Sequence, residues 1–295
     1  MFIIKNKKIF VTISIILVSL SIFSITYFGL NFGIDFKGGS LLEVEYQDGV
    51  RKEQSTLEES LKSLGVGSVL IQPMGDYGYS IKARDIKDNE KNLILEAIGP
   101  NVKEIGFNSI GPSVGAELVR KSIISFILVS FGIILWIAYS FRKVSKVVSS
   151  WKYGIIAVIA LIHDVLIATG VFSLVSHFLK GEVDTLFVVA VLTVLGLSVS
   201  DTIVIFDRIR ENLRISQNKT FEEIIGKSIK QIYPRSIATS LTVIVALVSL
   251  VIFGPNSTKM FAITLTVGMF FGTYSSIFLA SPLLVIMKDL QEKKN

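Results

Sequence analysis

Asp201 is the residue best suited to chemistry, because it lies inside an apolar segment, 186–206. Fifteen uncharged residues precede it in that segment and five follow it. An aspartate near the centre of a bilayer costs about 2.5–3.5 kcal/mol on insertion scales, so such a residue usually serves a function. A carboxylate can take up and release a proton, whereas an arginine stays charged. Asp201 is therefore a candidate proton carrier; the alternative is a helix-end aspartate that reaches water or forms a structural pair.

Arg235 opens another apolar segment, directly after Tyr233-Pro234. If Arg235 faces Asp201, each charge offsets the cost of burying the other, and a proton on Asp201 discharges the pair and frees the helices to move. The alternative for Arg235 is an anchor on the cytoplasmic side of the membrane. Small residues follow it at helical spacing and predict a face that packs against a neighbouring helix, for which the Asp201 helix is a candidate. These residues are Ala238, Thr239, Thr242, Ala246 and Ser249.

Ser198 and Arg208 share a helical stripe with Asp201, three residues before it and seven after it. Seven residues of helix span about 10 Å, which is too far for a direct Asp201–Arg208 pair. His163-Asp164 is a second ionisable pair inside an apolar segment. Because histidine titrates near neutral pH, this pair is either an element of a proton relay or a hydrogen-bonded packing pair.

Gly268 and Gly272 form a G-x-x-x-G motif, extended by Thr264 and Ser275, and this motif predicts a helix-packing face towards another subunit or span.

Several classes of site are excluded or disfavoured by composition. The chain has 295 residues, no cysteine and two histidines. The missing cysteines exclude disulfides, thiolate metal sites and a cysteine nucleophile, and two histidines disfavour a histidine-built metal centre. Asp164 and Asp201 match the carboxylate dyad of an aspartyl protease only in residue type, because Asp201 lacks the G-x-G-D context of intramembrane proteases. A stand-alone proton-driven exporter of small molecules and a scaffold that moves no protons are further alternatives.

Six segments are long and apolar enough to position these residues in a membrane. Hydrophobic residues make up 51% of the chain and charged residues 18%, whereas soluble domains carry roughly 25% charge. A membrane-spanning helix needs about 20 mostly apolar residues. The predicted spans are 9–29, 122–141, 153–176, 186–206, 236–253 and 260–287. The first is too long for a signal-peptide core and has no small-residue cleavage site, so it is predicted to be an uncleaved anchor.

The distribution of lysine and arginine predicts the orientation. Three basic residues precede the first span, four lie in the 142–152 loop, seven in 208–235 and three in the C-terminal tail. The positive-inside rule then places both termini in the cytoplasm. The basic loops are expected to contact lipid head groups and not nucleic acid. The predicted organisation is a cytoplasmic N-terminus with the first span (1–30), an extracytoplasmic domain (31–119), a helix bundle (120–287) and a cytoplasmic tail (288–295).

The 31–119 domain has nine basic and fourteen acidic residues, a net charge of −5. Its pattern is β-α-β-β-α-β: alternating strand residues at 41–46, a helix at 53–64, two strands around the turn at 73–76, a helix at 87–98 and a last strand at 102–110. This order predicts an α+β domain of the ferredoxin-like kind. It contains no catalytic constellation, so we expect it to bind a partner or transmit movement.

Four motifs, in order along nearly the whole chain, resemble the SecD/SecF family of protein-export membrane proteins. They are FGIDFKGG at 32–39, GPSVGAEL at 111–118, DTIVIFDRIREN at 201–212 and RSIATS at 235–240. The residues that the first two motifs single out as hinge or motif positions are Gly33, Asp35, Gly38, Gly39, Gly111, Pro112 and Gly115. The family usually has asparagine before the aspartate of the third motif, where this chain has Ser200.

The resemblance implies a polytopic membrane fold of the resistance-nodulation-division (RND) type, six spans forming one half of it. It implies assembly with SecD beside the SecYEG channel, and indirect cooperation with SecA. The implied activity is not enzymatic: the proton-motive force, and no cofactor, drives late steps of preprotein translocation across the bacterial cytoplasmic membrane. Asp201 and Arg235 match the family's proton-pathway residues. We expect proton entry and exit at Asp201 to change helix packing, and the two glycine-containing segments to carry that change into the domain.

Overall fold

A computed structural model of the chain describes residues 2–66, 69–140, 150–215 and 218–292. Most of the predicted cytoplasmic loop at 142–152 and the end of the tail at 293–295 lie outside the described residues. The helices within the described ranges are α1 (Phe2–Lys5), α2 (Lys7–Phe28), α3 (Ile34–Lys37), α4 (Gln54–Ser63), α5 (Asp88–Ile98), α6 (Pro112–Ser140), α7 (Ser150–Leu179), α8 (Thr185–Ile215), α9 (Phe221–Phe253), α10 (Asn256–Ser275) and α11 (Ser281–Glu292). A π-helical turn, Ser276–Ala280, joins α10 to α11.

Within these ranges, six helical segments are long and apolar enough to cross a membrane. They are α2, α6, α7, α8, α9 and the continuous run from α10 to α11, and each overlaps one predicted span. This agrees with the prediction of a polytopic helical membrane protein.

Several of these helices extend well beyond the apolar segments. α9 begins at Phe221, fifteen residues before the predicted span, because Thr220 and Glu223 form a capping box. The Glu223 carboxylate accepts from the Thr220 backbone N–H at 2.9 Å, and the Thr220 hydroxyl accepts from the Glu223 N–H at 3.3 Å. Pro234 lies inside this helix.

The chain divides into two compact units. The first contains Met1–Asn31, Ser125–Gly181 and Leu186–Asn295; the second contains Phe32–Ile124 and Glu182–Thr185. We call them the helical unit and the sheet unit. Apart from Asn31, the predicted 31–119 domain lies in the sheet unit, which also takes in a short segment from between α7 and α8.

The sheet unit is built on four strands, β1 (Gly39–Tyr46), β2 (Leu70–Met74), β3 (Gly78–Ala83) and β4 (Val102–Ile110). Its elements follow the order β1-α4-β2-β3-α5-β4, and the strands lie in the order β2-β3-β1-β4 with antiparallel neighbours. β2 runs through Pro73, which the sequence pattern assigns to a turn, since an edge strand tolerates a residue without an N–H. The core is formed by inward-facing residues of the sheet and of both helices, among them Leu42, Val44, Ile81, Leu57, Leu61, Ile94 and Ile98.

The helical unit is held together by close packing between its helices. Tyr153 of α7 and Phe206 of α8 are fully buried and meet edge to face, with ring centroids 5.4 Å apart. At the start of α2, Lys7 forms ion pairs with Glu222 of α9 at 2.9 Å and with Asp289 of α11 at 2.8 Å. Three sequence-distant helices are thereby joined at one end of the unit.

Candidate functional site

Asp201 lies on α8, half-buried, and its partner is a hydroxyl. Oδ2 of Asp201 accepts a hydrogen bond from Oγ1 of Thr273 on α10 at 3.1 Å. The Thr273 hydroxyl is in turn in hydrogen-bond contact with the buried hydroxyl of Ser240 on α9. A hydroxyl group can donate and accept at the same time. The chain Ser240–Thr273–Asp201 therefore connects three helices and accommodates either protonation state of the carboxyl group.

The sequence suggested that Arg235 could pair with Asp201, but the two residues do not pair in the structure. Within the described residues it is exposed on α9 and makes no hydrogen bond or ion pair. Ser236 and Ser240, each 3% exposed, form the buried face of this part of α9. Because successive helical residues are about 100° apart, Arg235 lies about 140° from Ser240 around the helix. The small residues that follow Arg235 are also exposed, so the predicted packing of that stripe on α8 is not formed in this chain.

Asp164 is the centre of a second polar cluster, and it is fully buried. Its Oδ2 accepts from the hydroxyls of Ser198 on α8 at 2.5 Å and Ser275 on α10 at 2.7 Å. Its Oδ1 lies 2.9 Å from Nδ1 of His163. His163 is also buried, and among the described residues its Nε2 has no hydrogen-bond partner. Asp164 thus joins α7, α8 and α10 through hydrogen bonds to both of its oxygens.

The two clusters lie along the same contact between α8 and α10. Ser198 and Asp201 are one helical turn apart on α8, and their partners Ser275 and Thr273 are two residues apart on α10. A third hydrogen bond joins Thr202 to Ser276, at 2.9 Å. The π-helical turn begins at Ser276, and such insertions are frequent at functional sites. The α8–α10 contact therefore carries a hydroxyl partner of Asp201, Thr273, and two of Asp164, Ser198 and Ser275.

The G-x-x-x-G motif makes this contact possible. A Cβ atom at Gly268 would overlap Cγ2 of Val194, and one at Gly272 would lie 3.0 Å from Cβ of Ser198. Both contacted residues are on α8, so the motif packs on the helix that carries Asp201. Close backbone approach at small residues is the usual way in which membrane helices associate.

The other predicted residues of α8 lie away from the polar contact. Ser200 is exposed. Arg208 binds Gln231 of α9 at 2.8 Å and Glu211, one turn further along α8, at 2.5 Å. Arg208 therefore binds Gln231 and Glu211 and not Asp201.

The two glycine-containing motifs pack directly on each other within the sheet unit. A Cβ atom at Gly38 would lie 2.9 Å from Cα of Pro112, and one at Gly115 would lie 2.7 Å from the Phe36 carbonyl oxygen. Gly38 has a φ of +78°, a conformation that favours glycine. The segment that follows α2 and the segment that begins α6 are thus in close backbone contact. Gly111 lies beside them with open space around it, and a Cβ atom at Gly39 would meet the Ala83 carbonyl oxygen at 2.6 Å.

Asp35 of the first motif binds the first residue of α8. Its Oδ2 accepts from the backbone N–H of Thr185 at 2.7 Å and from the Thr185 hydroxyl at 2.6 Å. Gly33 donates its backbone N–H to the Val183 carbonyl oxygen at 2.8 Å. All of these residues belong to the sheet unit.

Comparison with known proteins identifies the family. A family model described as "Protein export membrane protein SecD/SecF, C-terminal" matches residues 90–290, and one described as "SecD/SecF GG Motif" matches residues 23–50. The chain belongs to the SecD/SecF family. Both motif segments and the whole α8–α10 contact lie inside the matched residues.

Relatives of the SecD/SecF family match nearly the whole chain. A protein translocase subunit SecF of Thermobaculum terrenum is 39% identical over 96% of this chain and 92% of its own length. SecF of Sebaldella termitidis is 37% identical over 98% of this chain and 92% of its own length. The crystal structure of SecDF from Thermus thermophilus, described as a translocon-associated membrane protein, superposes with a TM-score of 0.79 at 29% identity. That match covers 97% of this chain and 38% of the SecDF chain. Such relatives, together with the apolar helices of the described ranges, indicate a multi-pass protein of a bacterial membrane.

Sequence reasoning found Asp164, Asp201 and Asp35 but missed most of their partners. Thr273 and Thr185 were not singled out, nor was Ser240, which contacts Thr273, and Ser275 was assigned only to a packing face. A cluster of hydroxyl residues in the last apolar span, GTYSS at 272–276, is the signal that was available. No comparable signal exists for Thr185, whose partner is 150 residues away in the sequence.

Proposed function

We propose that the chain is a SecF-type subunit of the protein translocase, which uses the proton-motive force to promote late steps of preprotein translocation. In this proposal it assembles with SecD, completes an RND-type fold with it, and acts beside the SecYEG channel after SecA has driven the preprotein in. It lies in the bacterial cytoplasmic membrane with both termini in the cytoplasm. The sheet unit is then an extracytoplasmic, ferredoxin-like domain. No cofactor and no enzymatic step are involved.

One observation supports the proton-driven part of this proposal most directly. Asp201 is a half-buried carboxylate in an apolar helix, and within the described residues its hydrogen-bond partner is the hydroxyl of Thr273 and not a cation. A fixed cation would hold the carboxylate in its charged form, whereas a hydroxyl can donate to the charged form and accept from the protonated one. Asp201 and its hydroxyl partners are therefore suited to cycling between the two forms.

Arg235 is the second residue of the proposed pathway, on the strength of the motif at 235–240. In this structure Arg235 is exposed on α9, so an exchange of partners at Asp201 requires movement of α9 against α8. One elementary charge crossing 100 mV supplies about 2.3 kcal/mol. That free energy changes a two-state equilibrium roughly fiftyfold, enough to drive such a movement. Asp164 accepts hydrogen bonds from three donors, and it is proposed to hold α7, α8 and α10 together while α9 moves.

The alternatives have less support. Asp164 and Asp201 each bind hydroxyl groups on other helices, and they do not bind each other, so the arrangement lacks a carboxylate dyad. A stand-alone exporter is disfavoured because the relatives described above are named as translocase subunits.

The test is export of a preprotein into vesicles that contain the complete translocase, with and without an imposed proton gradient. Native protein is compared with Asp201→Asn at equal abundance. The matched control is Asp207→Asn on the same helix, since Asp207 pairs with Arg210 one turn away. We expect Asp201→Asn to lose the gradient-dependent part of export and Asp207→Asn to keep it. Unchanged export in Asp201→Asn would instead support the alternative that the protein is a scaffold that moves no protons.

A further inference from the structure

The segment Glu182–Thr185 connects α7 to α8 and includes the first residue of α8, but it belongs to the sheet unit. We call it the strap. Phe32 and Val183 form a parallel bridge, and the Gly33 N–H donates to the Val183 carbonyl oxygen. A Cβ atom at Gly33 would lie 3.0 Å from Oε2 of Glu182 and 3.2 Å from the Val183 carbonyl oxygen, so the backbone at Gly33 packs tightly on this segment. The first motif after α2 therefore holds the strap through its backbone.

An ion pair fixes the strap to the sheet as well. Nζ of Lys82 lies 2.8 Å from Oε2 of Glu182, and the two side chains are only 20% and 12% exposed. Lys82 is on β3, where it pairs with Leu41 of β1 and Leu70 of β2. Partly buried, hydrogen-bonded ion pairs are screened less by solvent than exposed ones. The strap is thus attached to a strand that has neighbours on both sides.

Asp35 attaches the other end of the strap, which is the start of α8. The first N–H groups of a helix have no partner within the helix, and a carboxylate there satisfies them and interacts favourably with the helix dipole. Asp35 does this for the N–H of Thr185 and also accepts from its hydroxyl. Asp35 itself lies in α3, which leads into β1.

We propose that Asp35 is a positioning residue that couples helix α8, with its proton carrier Asp201, to the sheet through the strap. This inference rests on the proposed function, because it takes Asp201 as the residue that is protonated. A helix is stiff along its axis, and Asp201 is sixteen residues, about 24 Å, from Thr185. If the sheet stayed in place, a displacement of α8 by one residue, about 1.5 Å along its axis, would stretch the hydrogen bonds to Asp35 beyond bonding distance. If these bonds hold, the displacement is instead carried to β1 and β3.

The test uses the same vesicles and measures three quantities: gradient-independent export, gradient-dependent export, and proton uptake reported by a pH-sensitive dye. Asp35→Ala is compared with Asp76→Ala, a change at an exposed residue in the β2–β3 turn. Loss of a hydrogen bond to a charged group corresponds to about a tenfold effect. We expect Asp35→Ala to lower gradient-dependent export about tenfold while gradient-independent export and proton uptake stay at the native level. A general structural defect would lower both kinds of export.

Two further comparisons test the strap itself. Thr185→Val removes the hydroxyl that binds Asp35 and is expected to act in the same direction as Asp35→Ala, whereas Thr185→Ser keeps the hydroxyl and is expected to behave as native. Lys82→Glu and Glu182→Lys are each expected to reduce gradient-dependent export, and the double variant to recover it. This charge exchange decides the question if Asp35→Ala does not accumulate.

The outcomes separate this inference from the proposed function. If Asp201→Asn loses gradient-dependent export while Asp35→Ala matches Asp76→Ala, the coupling role of Asp35 is overturned and the proton-driven function stands. If the double charge exchange fails to recover what each single change loses, the strap is not the coupling element. If Asp201→Asn exports normally, the proposed function itself has failed.

Discussion

The hydroxyl of Thr273 on α10 lies 3.1 Å from Oδ2 of Asp201 on α8. A neutral residue thus occupies the position that the sequence had suggested for an arginine. Because α10 is held against α8 by Gly268 and Gly272, the distance between this hydroxyl and the carboxylate depends on helix packing. In the proposed proton cycle, protonation of Asp201 acts on the packing of α8 against α10 through this hydrogen bond.

We expect Thr273→Val to impair gradient-dependent export about tenfold, because it removes the donor to Asp201 without changing side-chain volume much. Thr273→Ser keeps the hydroxyl and is expected to retain most of the activity. Initial rates of export in vesicles at several gradient magnitudes provide the measurement. Equal rates for the valine and serine variants would show that the hydroxyl has no part in the process.

Gly268→Ala is expected to destabilise the protein, because the new Cβ atom would overlap the side chain of Val194. Overpacking of this kind costs about 1–3 kcal/mol. Gly196→Ala on α8 is the matched control, since a Cβ atom there would have no neighbour within 4 Å. Thermal unfolding of the purified proteins in detergent measures the difference. If both variants unfold at the same temperature, the close approach of α8 and α10 is not maintained in solution.

Ser198→Ala and Ser200→Ala test whether the Asp164 cluster contributes to stability. Ser198 donates to the buried Asp164, so its loss leaves a buried carboxylate with one donor fewer and is expected to cost about 1–3 kcal/mol. Ser200 is exposed on the same helix, and its replacement is expected to stay within about 0.5 kcal/mol. Unfolding in detergent with increasing denaturant distinguishes them. An equal effect of the two changes would contradict the structural role of the cluster.

Acid sensitivity of the sheet unit is expected to depend in part on Glu90. A side-chain hydrogen bond from Arg84 and a backbone hydrogen bond from Lys87 hold the pKa of Glu90 below its ordinary value of 4.5. A carboxyl group with a lowered pKa stabilises the folded state above its unfolded-state pKa, and this contribution is lost as the pH falls through the folded-state pKa. Arg84→Gln is therefore expected to lower the unfolding temperature slightly at pH 7 and to have no effect once Glu90 is protonated. The check is the unfolding temperature of the native protein and of Arg84→Gln, measured from pH 7 down to well below pH 4.5. A difference between the two proteins that stays constant with pH would show that Arg84 acts through something other than Glu90.

Sequence patterns predicted most of the elements that the structure contains. The apolar segments located the membrane-spanning helices because their length and lack of charge depend on composition alone. The alternation at 41–46 and the periodicity at 53–64 located β1 and α4 to within two residues for the same local reason. The starts of α6 and α9 and the end of α8 were missed, because these helices continue into polar sequence where hydropathy carries no signal.

The sequence by itself determined that Asp164, Asp201 and Arg235 lie in or beside apolar helices, since the cost of placing charge there follows from neighbouring residues. Only the tertiary structure decided the partners of the aspartates. Asp201 binds Thr273, Asp164 binds Ser198 and Ser275, and Asp35 binds Thr185. Which face of one helix meets another is set by close packing across long stretches of sequence, and a hydroxyl on a distant helix leaves no local pattern beside the aspartate that it binds.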